Sequence, residues 1–306
     1  MILGIDTSCY TTSVAVCEGE KIICDNRKPL EVIKGNRGLR QSEAVFQHIK
    51  ALPELIKKAA DICDFSKLDG VIASRFPRPL EGSYMPVFTA GCAVAESIAA
   101  ALNIPLYFTS HQEGHIMAAL KSCGEEITDS EFVSVHISGG TTELLLTKTT
   151  DTGFDFEIAG GSLDLHAGQL IDRCGVLMGM SFPCGKEFDD LALTAKKGLK
   201  MPVTLKGTDI HFSGAESYIM RYISENGKKE EIARGVFECI GESLMKALDF
   251  IYAKKPFKTV IMGGGVSASA FLRNTMKSEK YKILFADKAY STDNACGTAL
   301  IGELLR

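Results

Sequence analysis

Residues 132–149, FVSVHISGGTTELLLTKT, decide the fold, because they repeat the plan of residues 2–19, ILGIDTSCYTTSVAVCEG. Each copy has an apolar strand, a turn of small polar residues, and threonines leading into a second apolar strand. Working outward from the first copy, KIICDN (21–26) can pair beside it. QSEAVFQHIKALPELIKKAADICD (41–64) then places Val45, Phe46, Ile49, Leu52, Leu55, Ile56, Ala59 and Ile62 at helical spacing, with Pro53 dividing the run into two helices. A strand (LDGVIAS, 68–74), a small-residue helix (TAGCAVAESIAAAL, 89–102) and a strand (IPLYF, 104–108) follow. The order is β, β, β, α, β, α, β. Later, KTVIMGGGVSASAFLRNTM (258–276) sets a buried-type strand before three glycines and an amphipathic helix. Two β-turn-β openings with α/β continuations predict an α/β protein of two similar lobes around a cleft. The expected division is a first lobe over 1–110, completed by a closing helix over 290–306, and a second lobe over 111–289.

The 306-residue chain has 45% hydrophobic and 24% charged residues, the balance of a soluble globular protein. Uncharged apolar runs fall short of the ~18 residues that a membrane span needs, so no membrane role is expected. MILGIDTS does not read as a signal peptide. Ten scattered cysteines without a CxxC pair fit reduced thiols in a cytoplasm better than a disulfide framework or a zinc ribbon. Cys9 stands out, since it lies in a ligand-type loop. A formal charge of −4 gives no general attraction to nucleic acid, so a nucleic-acid partner needs a local basic patch or a helper protein.

Three small-residue turns invite a ligand reading. Ser138, Gly139, Gly140 and Thr141 join two strands, and their glycines let backbone N–H groups approach a phosphate; an ordinary glycine hairpin explains one such turn equally well. Residues 6–12 carry the same ambiguity. Gly263, Gly264 and Gly265 lead into a helix whose N-terminus favours anions. Three such turns in a repeated plan resemble the superfamily of actin, Hsp70 and the sugar kinases (ASKHA fold), whose two lobes hold a nucleotide between them.

TSHQEGH (109–115) adds two histidines four apart at a helix start. At ~400° of helical rotation, His111 and His115 share a face and can reach one ion. The zinc-protease motif H-E-x-x-H needs its glutamate where this chain has Gln112, so the protease reading lacks a base. Glu113 instead completes a capping box with Ser110. Two surface histidines in a first turn are the plain alternative, although a helix N-terminus favours neutral imidazoles ready to act as ligands.

Seven stretches in order, ILGIDTSCYTTSVAV (2–16), HQEGHIMAAL (111–120), ISGGTTELLL (137–146), GGSLDLHAGQLIDR (160–173), HFSGAESY (211–218), GGGVSASAFLR (263–273) and STDNACGTALIG (291–302), resemble the tRNA threonylcarbamoyladenosine transferases, once labelled O-sialoglycoprotein endopeptidases. The resemblance implies one divalent iron or zinc ion on His111, His115 and Asp293. Without it, Asp293 reads as an acidic residue in the first turn of the closing helix. It also implies a nucleotide (threonylcarbamoyl-AMP, AMP or ATP) on Ser138, Gly139, Gly140, Thr141, Asp172, Gly185, Gly264, Gly265 and Ser269. Tyr10 and Thr12 would face the reacting end. The reaction implied is transfer of a threonylcarbamoyl group from its AMP anhydride to N6 of the tRNA adenosine 3′ of the anticodon. Implied partners are tRNA reached through helper subunits, and a homodimer or heterodimer formed through the N-terminal lobe.

Departures from the family pattern lie in the turns. The first turn reads Ser8-Cys9-Tyr10-Thr11-Thr12-Ser13 where the family has S-C-D-E-T-S, so both carboxylates are gone. Thr141 replaces a histidine, Ser269 an asparagine and Gln169 a glutamate, and Asp164 is kept but is followed by Leu165 and His166 in place of the family's D-A. Ser74-Arg75-Phe76-Pro77-Arg78-Pro79 replaces a glycine-rich turn, and its arginines could contact a phosphate or simply be solvated. These changes describe a divergent paralogue. A carbamoyl or phosphoryl transferase acting on a small molecule, and a noncatalytic partner subunit, remain as alternatives; the metal set argues against the second.

Overall fold

The computed structural model of the chain describes residues 1–8, 10–31, 39–80, 82–224 and 227–306; Cys9 lies outside them. In chain order the elements are β1 (Ile2–Thr7), β2 (Thr11–Glu18), β3 (Lys21–Pro29), α1 (Gln41–Ile62), β4 (Gly70–Phe76), α2 (Phe88–Leu102), β5 (Leu106–Ser110) and α3 (His111–Ser122). Then follow β6 (Glu131–Ile137), β7 (Thr142–Thr150), β8 (Gly153–Ser162), α4 (Ala167–Leu177), α5 (Gly185–Thr194), β9 (Thr204–Lys206), β10 (Asp209–His211), α6 (Ser213–Ser224) and α7 (Lys229–Lys254). The chain ends with β11 (Thr259–Gly263), α8 (Ala270–Thr275), β12 (Lys282–Phe285) and α9 (Cys296–Leu305). Among the described residues, no helix is long and apolar enough to cross a membrane.

Two compact units result. The first comprises Met1–Ser122, Thr150–Phe154 and Thr292–Arg306; the second comprises Cys123–Thr149 and Asp155–Ser291. The first sheet has the order β3-β2-β1-β4-β5 and the second β12-β11-β6-β7-β8-β10-β9. The repeated sequence plan is visible in both. β1 pairs antiparallel with β2 and parallel with β4, just as β6 pairs antiparallel with β7 and parallel with β11.

In the first unit the period of two along β1 serves two faces. Leu3 and Ile5 share a core with Leu52 and Leu55 of α1 and Ala95 and Ala99 of α2. On the other face a Cβ on Gly4 would lie 2.7 Å from the Ala299 amide, and one on Gly302 would meet Ile2 and Ile72, so only glycines let α9 lie this close to the sheet. Gly297 abuts the backbone of Gly114 and Ala118 on α3 in the same way. This approach corrects the expected boundary at 110/111: α3, assigned from sequence to the second lobe, belongs to the first unit because it is fastened to α9.

Helix α1 also departs from its pattern. It runs unbroken through Pro53, and its buried residues are Ala44, His48, Ala51, Leu52, Leu55 and Ala59, whereas Phe46, Ile49 and Ile62 are exposed. The small alanines let the helix sit close to the sheet, and His48 is held in the core by a 2.8 Å bond between its Nδ1 and Thr12 Oγ1. A hydrogen-bonded polar residue thus took a position that apolar periodicity would give to Ile49.

Gly297→Ala should cost about 2 kcal/mol or more by forcing α9 away from α3, read as a lowered denaturant midpoint. An unchanged midpoint would show that the helices can separate freely.

Candidate metal centre and nucleotide turns

β1, β4 and β5 run parallel, so Asp6 near the end of β1 and His111 immediately after β5 emerge at one edge of the sheet. Ser110 caps α3 as the sequence requires. Its N–H and hydroxyl reach Glu113 Oε2 at 2.9 and 2.7 Å, and the Glu113 N–H donates to Ser110 Oγ at 3.1 Å. This box fixes His111 as the first helical residue and His115 one turn later on the same face.

The two imidazoles meet at Nε2, 3.1 Å apart. Asp293 Oδ1 lies 3.6 Å from His111 Nε2 and 3.3 Å from His115 Nε2. One ligand atom from each of the three residues falls within 4.8 Å of the others. Behind them, Asp6 Oδ2 is 2.8 Å from His111 Nδ1, and Ser8 Oγ donates to Asp293 Oδ2 at 3.0 Å. Asp293 sits in the loop before α9 and not in its first turn.

The electrostatics call for a cation. Burial alone would lower the His111 pKa, but the carboxylates of Asp6 and Asp293 outweigh it and raise that pKa well above the usual imidazole value. Burial likewise opposes ionisation of Asp6 and Asp293, yet the histidines hold both below the usual carboxylate range. The sequence expectation of a neutral imidazole pair therefore does not hold for His111 in the metal-free protein. The buried carboxylate of Asp6 and the partly exposed one of Asp293 favour the protonated form of His111 where an ion would otherwise balance their charge. Two imidazole nitrogens and a carboxylate oxygen suit iron or zinc. Asp6, bonded to the far ring nitrogen of His111, would fix the orientation and tautomer of that ring if Nε2 held an ion.

The nucleotide candidates all lie in the second unit. Gly139, Gly140, Gly185 and Gly265 have no φ in the left-handed region and no atom within 4 Å of an added Cβ. Neither backbone strain nor internal packing requires glycine there, and the space beside each of the four Cα atoms is open. Yet the N–H groups of Gly140 and Thr141 donate to Ser138 Oγ at 3.3 and 3.1 Å, so in this state the turn is braced by its own serine. Asp172 is neither an outward charge nor free: its Oδ1 accepts the Cys184 N–H at 2.8 Å, and burial raises its pKa.

Two assignments change. Thr12, expected at the reacting end, is fully buried against His48, while Tyr10 is half-exposed. Ser269, expected on the nucleotide, is buried and caps α8 by accepting the Leu272 N–H. The helix N-terminus expected to attract a ligand anion already holds the carboxylate of Asp189, which accepts from Ser269 Oγ and from the Ala270 and Phe271 N–H groups. The three glycines lead first into a 3-10 turn, and α8 is only six residues long. Arg75 lies over the Phe108 ring at 4.8 Å. Asp164 caps α6 through Phe212 and Ser213; burial opposes its ionisation, but the bonds from Ser213, Phe212 and Leu165 bring its pKa down to about 2.

Sequence reasoning did not assign Asp6, Ser8 or Asp189. The parallel β1-β4-β5 order is the signal that places Asp6 beside His111; nothing local marks Asp189.

Two α/β units that each open with a hairpin joined to a parallel strand define an actin- and sugar-kinase-like fold. Component A of the (R)-2-hydroxyglutaryl-CoA dehydratase of Acidaminococcus fermentans is similar at a TM-score of 0.61 and 14% identity, over 100% of this chain and 99% of that one. A ROK family glucokinase from Streptomyces griseus, solved with glucose and AMPPNP, is similar at a TM-score of 0.54 and 10% identity, over 97% of each chain. These likenesses concern the fold. Residues 26–300 match the TsaD family, tRNA N6-adenosine threonylcarbamoyltransferase, and the chain belongs to that family of transferases. The tRNA N6-adenosine threonylcarbamoyltransferase of Dictyoglomus turgidum is 29% identical over 98% of this chain and 92% of its own length.

Asp6→Asn should weaken zinc binding roughly 10- to 100-fold, measured by competition with a chelator; unchanged affinity would remove Asp6 from the site. In the metal-free protein, the contribution of protonated His111 is complete below about pH 6.5 and is lost as pH rises through its raised folded pKa. Wild type should therefore lose its stability advantage over Asp6→Asn toward alkaline pH. Thermal melting along a pH series reads this, and an advantage that grows with pH would contradict the sign.

Proposed function

We propose that this chain transfers a threonylcarbamoyl group from its mixed anhydride with AMP to N6 of the tRNA adenosine 3′ of the anticodon, using iron or zinc at His111, His115 and Asp293. The convergence of those three side chains, with Asp6 behind His111, is the observation that carries the reading. A divalent ion bound there supplies a Lewis acid that orients and polarises an oxygen of the transferred group.

The protein's own groups have separable tasks. Asp6 accepts from His111 Nδ1, which would leave Nε2 unprotonated to hold an ion, and Ser8 donates to Asp293 Oδ2, which would leave Oδ1 for the same ion. The hydrogen bonds that brace residues 138–141 use only the oxygen of the Ser138 hydroxyl, so its proton is available to a phosphate oxygen in the space beside the Cα atoms of Gly139 and Gly140. Asp172 keeps its second oxygen for a ribose hydroxyl, with Gly185, Gly264 and Gly265 lining the nucleoside. Attack by N6 on the carbamoyl carbon breaks the anhydride C–O bond, releases AMP and sheds one proton from N6. No carboxylate stands in residues 8–13; among the described residues of that turn, Tyr10 is the most exposed side chain and is the one we place toward the acceptor.

A net charge of −4 is the reason to expect tRNA to arrive with helper subunits, and it also favours a small-molecule acceptor as the second reading. The exposed Phe46 and Ile49 of α1 support docking of a second copy or a homologue on the first unit. The nine described cysteines are unbridged, in keeping with a reducing cytoplasm.

Untagged protein should carry about one iron or zinc per chain by mass spectrometry and transfer labelled threonine to tRNA when given threonylcarbamoyl-AMP. The pair of substitutions His111→Ala and His115→Ala should abolish both. Full transfer by the metal-free double variant would refute the reading, and turnover of a small acceptor without tRNA would favour the alternative.

A further inference from the structure

Arg27 of β3 lies on the rung of the first sheet that leads to the metal centre. It pairs with Ser13 of β2, which pairs in turn with Asp6 of β1, so the three side chains share one face of the sheet. Asp25, two residues earlier on β3, is on that face as well. It is the face against which α9 packs, since Ala299 closes on Gly4 there. The Arg27 guanidinium gives two donors to Asp25, Nε to Oδ1 at 2.8 Å and Nη2 to Oδ2 at 2.5 Å. A third, Nη1, donates to Thr292 Oγ1 at 3.2 Å. The buried Cys296 thiol, at the start of α9, lies against both charged side chains.

Thr292 is the residue before Asp293. Their turn is braced from within, because Asn294 Nδ2 donates to Thr292 O at 2.8 Å and the Cys296 N–H donates to Asn294 Oδ1 at 3.0 Å. Those bonds shape residues 292–296 without joining them to the sheet. Arg27 supplies a joint: a fork held at two points by Asp25 has little freedom to swing, so its third donor sets Thr292 relative to β3. The Asp293 carboxylate is thereby set relative to Asp6 and the histidines. Asp25 also balances the charge of Arg27, and with the two side chains 20% and 26% exposed, water screens what field remains.

We infer that Arg27 is a positioning residue for Asp293 as a metal ligand, acting through Thr292. The inference rests on the metal reading above. The sign of the effect separates this role from plain electrostatics. By charge alone, removal of a cation beside a cation site tightens metal binding; loss of the joint weakens it.

The test is titration of the metal-free full chain with zinc against a competing chelator, at constant ionic strength and well below each variant's melting temperature. Arg27→Met, which keeps most of the stem, should bind zinc roughly three- to tenfold more weakly, as for loss of one hydrogen bond. Thr292→Val removes the acceptor with no change of charge and should weaken binding by a similar factor. The double variant should bind no more weakly than Arg27→Met, because both changes break the same link. Unchanged or tighter binding by Arg27→Met, even with a lowered melting temperature, would overturn the inference, as would additive losses in the double variant. A wild type that binds zinc no better than the variant carrying both His111→Ala and His115→Ala would instead overturn the metal reading, and this inference with it. Should Arg27→Met fail to fold, Arg27→Lys keeps the charge but lacks the fork; it and Thr292→Val should both show the weakening, and wild-type affinity in both would refute the role.

Discussion

Two carboxylates and two imidazoles converge at the edge of the first sheet, and the charge they place there needs a compensating cation. Asp6 cannot be buried as an anion without a partner, and the carboxylates of Asp6 and Asp293 together favour a protonated His111. A bound metal satisfies the same demand with the charge shifted to the meeting point of the two Nε2 atoms and Asp293 Oδ1. Proton and ion therefore compete for one site.

Much of the first unit serves to hold that arrangement. Parallel β1, β4 and β5 bring the Asp6 end and the His111 end together. The capping box at Ser110 and Glu113 sets where α3 begins, and glycines at 4, 297 and 302 let α9 press against β1 and α3. Asp293 precedes α9 by only a few residues, so the packing of that helix fixes where its carboxylate can be. Arg27 adds a tether by donating to Thr292 Oγ1 at 3.2 Å.

The sequence made the hairpin repeat, the element order of the first half and the histidine pair legible, because period-two strands, small-residue turns and i, i+4 spacing are local signals. Asp293 could be named only through family resemblance, since 178 residues separate it from His115. What escaped a linear reading was settled by tertiary competition. His48 displaced the apolar face of α1 by bonding Thr12, which removed Thr12 from the site. Asp189 reached the α8 N-terminus before any ligand could and claimed Ser269 with it. Pro53 did not break α1, and the boundary at residue 110 moved beyond Ser122 because two glycine-lined helix faces meet there.

X-ray absorption spectroscopy at the metal edge of purified protein tests the central claim most directly. The account predicts a first shell of nitrogen and oxygen donors with the outer-shell scattering of two imidazoles, reduced to one in His115→Ala. A shell of oxygens alone, or one dominated by sulfur, would contradict the centre built on His111, His115 and Asp293.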